Sequence, residues 1–143
     1  FWGAAHLHCF DCVKNFLDIT ETNLRLNDYY SDAGDFFSLY HCQLDAGNGI
    51  GLNLHPQATP TICKVDIEGA EFAILPDDID ALSDVHTWIV EIHPNAGDPN
   101  VIAQAFKDRQ FELLKVDRER MVVRPYELGE RWLTHATLIA RKR

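Results

Sequence analysis

The chain predicts an α/β domain built on a doubly wound, mostly parallel sheet. Three observations carry that expectation. Strand patterns alternate with helix patterns, in the order strand, helix, strand, helix, strand. The run Trp88 to Ile92 is nearly continuous in apolar residues, as suits a parallel strand covered on both faces. Acids then sit where strand patterns stop: Asp11, Asp66 with Glu68, and Glu91 with His93. Ligands of open α/β sheets bind beyond the carboxyl ends of the strands, so this convergence marks a candidate site.

The elements follow in order. Residues 6 to 10, His-Leu-His-Cys-Phe, read as a short strand ending at Asp11. Val13, Phe16, Leu17, Thr20 and Leu24 recur at helical spacing, so 13 to 26 is an amphipathic helix with Asn27 and Asp28 as stop residues. Residues 28 to 60 are the least regular, with a strand candidate at Phe36 to Leu44 and a spaced Gly47-x-Gly49-x-Gly51 read as a flexible connection. Residues 61 to 67 are strand, and 70 to 75 open a short helix that Pro76 should limit. Pro99 suits the first turn of a helix whose stripe is Val101, Ile102, Ala105 and Phe106. Phe111 to Val116 and Thr134 to Ala140 are further strands, with a short extension at Met121 to Val123 and a loop from Pro125 to Trp132. With no repeat, low-complexity tract or linker, residues 1–143 read as one domain.

Composition excludes several classes. Thirteen basic against 22 acidic residues give a net charge of −9, which argues against a nucleic-acid surface. No apolar run approaches a membrane span, and Phe1 to Ala5 lacks a signal pattern. Cys9 and Cys12 form a C-x-x-C near His6 and His8, but no second half of a zinc site follows. Cys9 and Cys63 fall in apolar strand patterns, where free cysteine is an ordinary residue, so a reduced, cytoplasmic protein is expected.

The densest chemistry lies in Lys64-Val-Asp-Ile-Glu-Gly-Ala-Glu71. If the strand runs through it, Asp66 and Glu68 point the same way, and burying two like charges together is costly without a use. The alternative is a strand end with its acids in solvent. Glu71 at a helix start reads as favourable charge on the dipole. His93, before Pro94, reads either as a base of convenient pKa or as a loop residue.

These residues resemble a known family. Lys64 to Glu71 with Ile74-Leu75 is similar to the K-[IV]-D-[IV]-E-G-x-E-x-x-[IV]-L motif of FkbM-type methyltransferases, a branch of the class I S-adenosylmethionine-dependent enzymes. Val90-Glu91-Ile92-His93-Pro94 resembles the family's next strand, and His8-Cys9-Phe10-Asp11 with Asn15-Phe16-Leu17 and Asn23 to Asn27 resembles its upstream segment. The resemblance implies a Rossmann-like methyltransferase fold with an antiparallel last strand and S-adenosylmethionine as cofactor. Asp11 would bind the cofactor's ribose, although it could instead cap the following helix. Asp66 and Glu68 would lie beside the methyl donor and acceptor, with Asp66, Glu68, Glu91 and His93 as candidate catalytic groups. The acceptor implied is a hydroxyl of a small molecule or sugar, with no nucleic acid and no membrane partner.

The family's first strand and its glycine-rich turn, D-x-G-A-N-x-G, have no counterpart in the ten residues before Asp11. A nucleotide-binding turn normally lies about 20 residues before that acid. The expectation is therefore a domain shortened at its N-terminus, either a fragment of a longer enzyme or a relative that has lost cofactor binding, inactive alone, with two ladder edges left where the first strand would pair. Two other functions compete. One is a metal-dependent hydrolase with Asp66, Glu68, Glu91 and His93 as ligands, which lacks a second histidine or a nucleophile motif. The other is a catalytically inactive interaction module.

Overall fold

The computed structural model describes residues 6–27, 30–31, 34–35, 37–42, 60–117, 122–132, 134 and 136–142. They fall into two compact units, Phe1–Gln43 and Leu44–Arg143. The Gly47-x-Gly49-x-Gly51 segment and Met121 lie outside the described residues.

In the first unit, β1 (Leu7–Asp11) pairs in parallel with β4 (Phe37–His41), from Leu7↔Phe37 to Asp11↔His41. The helix α1 (Lys14–Leu26) packs against both, and β2 (Tyr30–Ser31) with β3 (Gly34–Asp35) forms a short antiparallel pair. The register sets Phe10 beside Tyr40, whose rings stack at 4.6 Å. The α1 helix ends at Asn27, as its sequence suggests, with the Asn27 N–H donating to Asn23 O and Leu24 O. Its burial is narrower than the expected stripe: Leu17 is buried, while Val13 and Phe16 are exposed.

The second unit contains β5 (Ile62–Val65), α2 (Glu71–Ala81), β6 (Thr87–Ile92), α3 (Pro99–Asp108), β7 (Glu112–Asp117), β8 (Val122–Pro125) and β9 (Ala136–Arg141). Its strand order is β5-β6-β9-β7-β8. The β5–β6 pairing is parallel, whereas β6–β9, β9–β7 and β7–β8 are antiparallel. By pairing, then, this sheet is mostly antiparallel rather than mostly parallel. The reason is local: the last strand inserts antiparallel between β6 and β7, and β8 folds back on β7 as a hairpin. The three strands β5, β6 and β7 still run in one direction.

Side-chain alternation explains how this sheet is covered. Trp88, Val90 and Ile92 of β6 face the core together with Cys63 and Val65, Leu113, and Ala136, Leu138 and Ala140. Large and small residues meet across the ladder, as in Trp88↔Ala140 and Val90↔Leu138. Helices α2 and α3 add Leu75, Ile79, Ile102, Ala103 and Phe106 to the same core. Both crossovers step across the sheet in one direction, so right-handed connections place both helices on one face. The opposite residues Ile89 and Glu91 are only half-buried, so β6 is fully covered on one face only.

Two helix expectations need correction. Pro76 does not limit α2 but lies inside it. The ring removes one backbone bond, a cost of about 3 kcal/mol. Burying Leu75 and Ile79 against the sheet offsets it, at roughly 1.5–3 kcal/mol each. Helix α3 starts as expected, with Pro99 in its first turn and the Asp98 side chain accepting from the Asn100 N–H at 2.9 Å. Its buried stripe is Pro99, Ile102, Ala103 and Phe106, whereas Val101 is 52% exposed. Among the described residues no helix is long and apolar enough to cross a membrane.

Candidate functional site

The site is built where β5 and β6 end side by side. Their parallel register, closing at Val65↔Val90, carries Asp66 alongside Glu91. Strand β5 stops at Val65, so Asp66 and Glu68 are not alternating strand residues on one face as the sequence suggested. Instead the chain turns through Ile67 to Ala70, closed by the Ala70 N–H donating to Ile67 O at 3.2 Å. Both central residues have positive φ, 53° at Glu68 and 105° at Gly69. Turns with two positive φ values favour glycine, and placing glutamate in one costs about 1–2 kcal/mol. Gly69 is further constrained by space, because a Cβ there would come 2.7 Å from the Ala96 Cβ.

The turn delivers Glu71 into the interior. This side chain is fully buried and accepts three hydrogen bonds. Its Oε2 accepts from the Gly69 N–H at 2.8 Å, and its Oε1 accepts from the His93 N–H at 2.8 Å. The same Oε1 lies 3.0 Å from His93 Nδ1. The helix dipole that the sequence suggested for Glu71 is thus the lesser part of its role. It bolts the turn after β5 to the residue after β6, across 22 positions of sequence.

His93 is correspondingly no solvent-facing loop residue, being only 6% exposed. Its Nε2 lies 3.4 Å from Glu68 Oε2. One ligand-type atom from each of Asp66, Glu91 and His93 falls within 4.8 Å of the others. Asp66 also receives the Lys64 ammonium at 3.0 Å, an exposed pair of small energetic value. The structure therefore gathers Asp66, Glu68, Glu91 and His93, with Glu71 beneath them. Asp66 and Glu68 are both exposed, the alternative in which these acids face solvent. Glu71 is the member that sequence reasoning undervalued. The signal was the spacing Glu68-Gly69-x-Glu71 itself, since a turn needing glycine so close before a carboxylate redirects that carboxylate inward.

Asp11 ends β1 in the first unit, as expected. Its Oδ1 accepts from the Val13 N–H at 2.7 Å, closing the turn into α1. The N-cap of α1 is Val13, without a side-chain cap bond, so Asp11 closes the preceding turn and does not cap the helix itself, with one carboxylate oxygen occupied.

The two motifs that meet through Glu71 and His93 lie within a recognised family segment. The model of the methyltransferase FkbM domain matches residues 48–113, a span that includes Lys64 to Glu71 and Val90 to Pro94 but not Asp11. No curated protein matches the chain. Over residues 48–113 the chain is therefore similar to the FkbM-type methyltransferase domain.

Proposed function

We propose that this chain is part of an S-adenosylmethionine-dependent methyltransferase domain that transfers methyl to a hydroxyl oxygen of a small molecule or sugar. The observation that carries the reading is the Glu71–His93 bolt, which assembles Asp66, Glu91 and His93 at adjoining ends of parallel strands within the FkbM segment. The proposal includes a doubly wound, Rossmann-like arrangement of the whole domain. The shared direction of β5, β6 and β7, with β9 antiparallel among them, supports it. A cytoplasmic setting belongs to the same proposal and rests on reading the four cysteines as reduced.

The donor set suits the cofactor. When bound, S-adenosylmethionine supplies an electrophilic methyl carbon on a cationic sulfur. Asp66, Glu68 and Glu91 form a locally negative site, offset by Lys64, that favours such a cation. Asp66 would hold the donor side, where a carboxylate can accept hydrogen bonds from the cofactor. The acceptor hydroxyl would sit against Glu68, Glu91 and His93, one of which takes its proton as the oxygen attacks. The metal-dependent hydrolase is not favoured, because the matched family is one of methyltransferases.

Calorimetric titration of S-adenosylhomocysteine into the protein in its full reading frame tests this. Binding that weakens at least tenfold in Asp66→Asn supports the proposal. A folded protein that gives no heat refutes it.

A further inference from the structure

We infer that Glu71 is a positioning residue that fixes His93 as the proton acceptor of this site. The acceptor role rests on the methyltransferase reading, whereas the positioning stands on geometry alone. An ionised carboxylate can only accept hydrogen bonds. Glu71 Oε1 already accepts from the His93 backbone N–H, so the ring nitrogen 3.0 Å away, Nδ1, is the donor of that contact. In the neutral ring Nδ1 then holds the proton and Nε2 carries the lone pair. One oxygen grips both the backbone and the ring of the same residue, and Oε2 is held in turn by the Gly69 N–H. The ring has little freedom left, and the residue is buried.

Nε2 faces the cluster. Glu68 Oε2 lies 3.4 Å from it, and Asp66 and Glu91 complete the surrounding charge, with Lys64 the cation on Asp66. A proton arriving on Nε2 therefore meets a carboxylate at ion-pair distance. Two of the other candidates serve this task less well. Asp66 is engaged by Lys64, and Glu68 has an 86% exposed side chain whose carboxylate is well solvated. In the transfer, the acceptor oxygen bonds to the methyl carbon as the carbon–sulfur bond breaks. The sulfur keeps that electron pair and becomes a neutral thioether, and the hydroxyl proton passes to His93 Nε2.

The test is the ring's own protonation pattern, read by two-bond proton–nitrogen correlation on protein labelled with ¹⁵N-histidine, in its full reading frame and under basic conditions. The expected result is a preference of about tenfold or more for Nδ1–H, since a charge-assisted hydrogen bond separates the tautomers. Glu71→Gln should reduce that preference severalfold, and Glu71→Asp should keep more of it. A purely structural Glu71 would leave the tautomer ratio unchanged in Glu71→Gln, which overturns the positioning role. Nε2–H as the main form in the unaltered protein overturns both roles. Titration with manganese alone is the second arm: selective broadening of the His93 ring signals at stoichiometric manganese would make Nε2 a metal ligand and overturn the base assignment. Absence of S-adenosylhomocysteine binding would sink the methyltransferase reading without moving the tautomer, so the two failures are distinguishable.

Discussion

Gly69→Ala should cost far more stability than Gly129→Ala, and the difference isolates the close packing beneath the site. Both glycines have positive φ, 105° and 90°, which an alanine adopts at a cost of about 1–2 kcal/mol. A Cβ on Gly129 would meet nothing within 4 Å, so backbone strain is the whole of its penalty. On Gly69 it would stand 2.7 Å from the Ala96 Cβ, and one of the two chain segments must move. Forcing a methyl group into a packed interior adds about 1–3 kcal/mol. The Gly69 N–H also donates to Glu71 Oε2, so the shift loosens a buried carboxylate, at about 1 kcal/mol or more. The sum for Gly69→Ala is roughly 3–6 kcal/mol, against about 1–2 kcal/mol for Gly129→Ala. Urea unfolding of both variants, compared at equal slope, measures the difference directly. Midpoints that fall by the same amount would refute the steric argument and with it the tight turn that aims Glu71.

Two further outcomes follow from local electrostatics. Arg124 holds the Glu130 carboxyl down to about 2 from 4.5, with help from the Glu127 N–H and Lys115. A lowered carboxyl contributes stability that is full above 4.5 and lost as pH falls toward about 2. Discounted for the exposed Arg124, the effect is about 1–2 kcal/mol, and Glu130→Gln should flatten the acid limb of a stability–pH curve by that amount. Burial first, then the Asp78 charge, pushes the Cys63 thiol up to about 12. Thiolate is the reactive form, so an aromatic disulfide reagent should label exposed Cys12 in the folded protein and Cys63 only after unfolding. Equal labelling of both in the folded state would contradict the β5 packing.

What could be read from the sequence was whatever local periodicity encodes. Trp88 to Ile92 and the Pro99 helix were legible because apolar spacing and a first-turn proline act within a few residues. The pairing directions were not, because β9 reaches its place between β6 and β7 only through contacts distant in sequence. Pro76 misled for a related reason: its cost is local, but the burial that outweighs it comes from the sheet. Val101 shows the converse, an apolar residue whose helical spacing suggested a buried stripe and whose side chain faces out.

The site divides along the same line. Asp66, Glu68, Glu91 and His93 could be nominated because charged residues at strand ends stand out against apolar runs. Glu71 could not be ranked among them, since an acid in a first helical turn has a sufficient reason to be there. Only the turn before it removes that reason. Two positive φ values in succession point Glu71 away from the helix end and into the interior, where its acceptors are filled by Gly69 and His93. A buried carboxylate held by two backbone N–H groups and a ring nitrogen is a poor candidate for chemistry of its own and a good one for fixing another group. The division of labour between exposed acids and a buried one thus follows from backbone geometry at Glu68 and Gly69, and the histidine that links them inherits a fixed orientation.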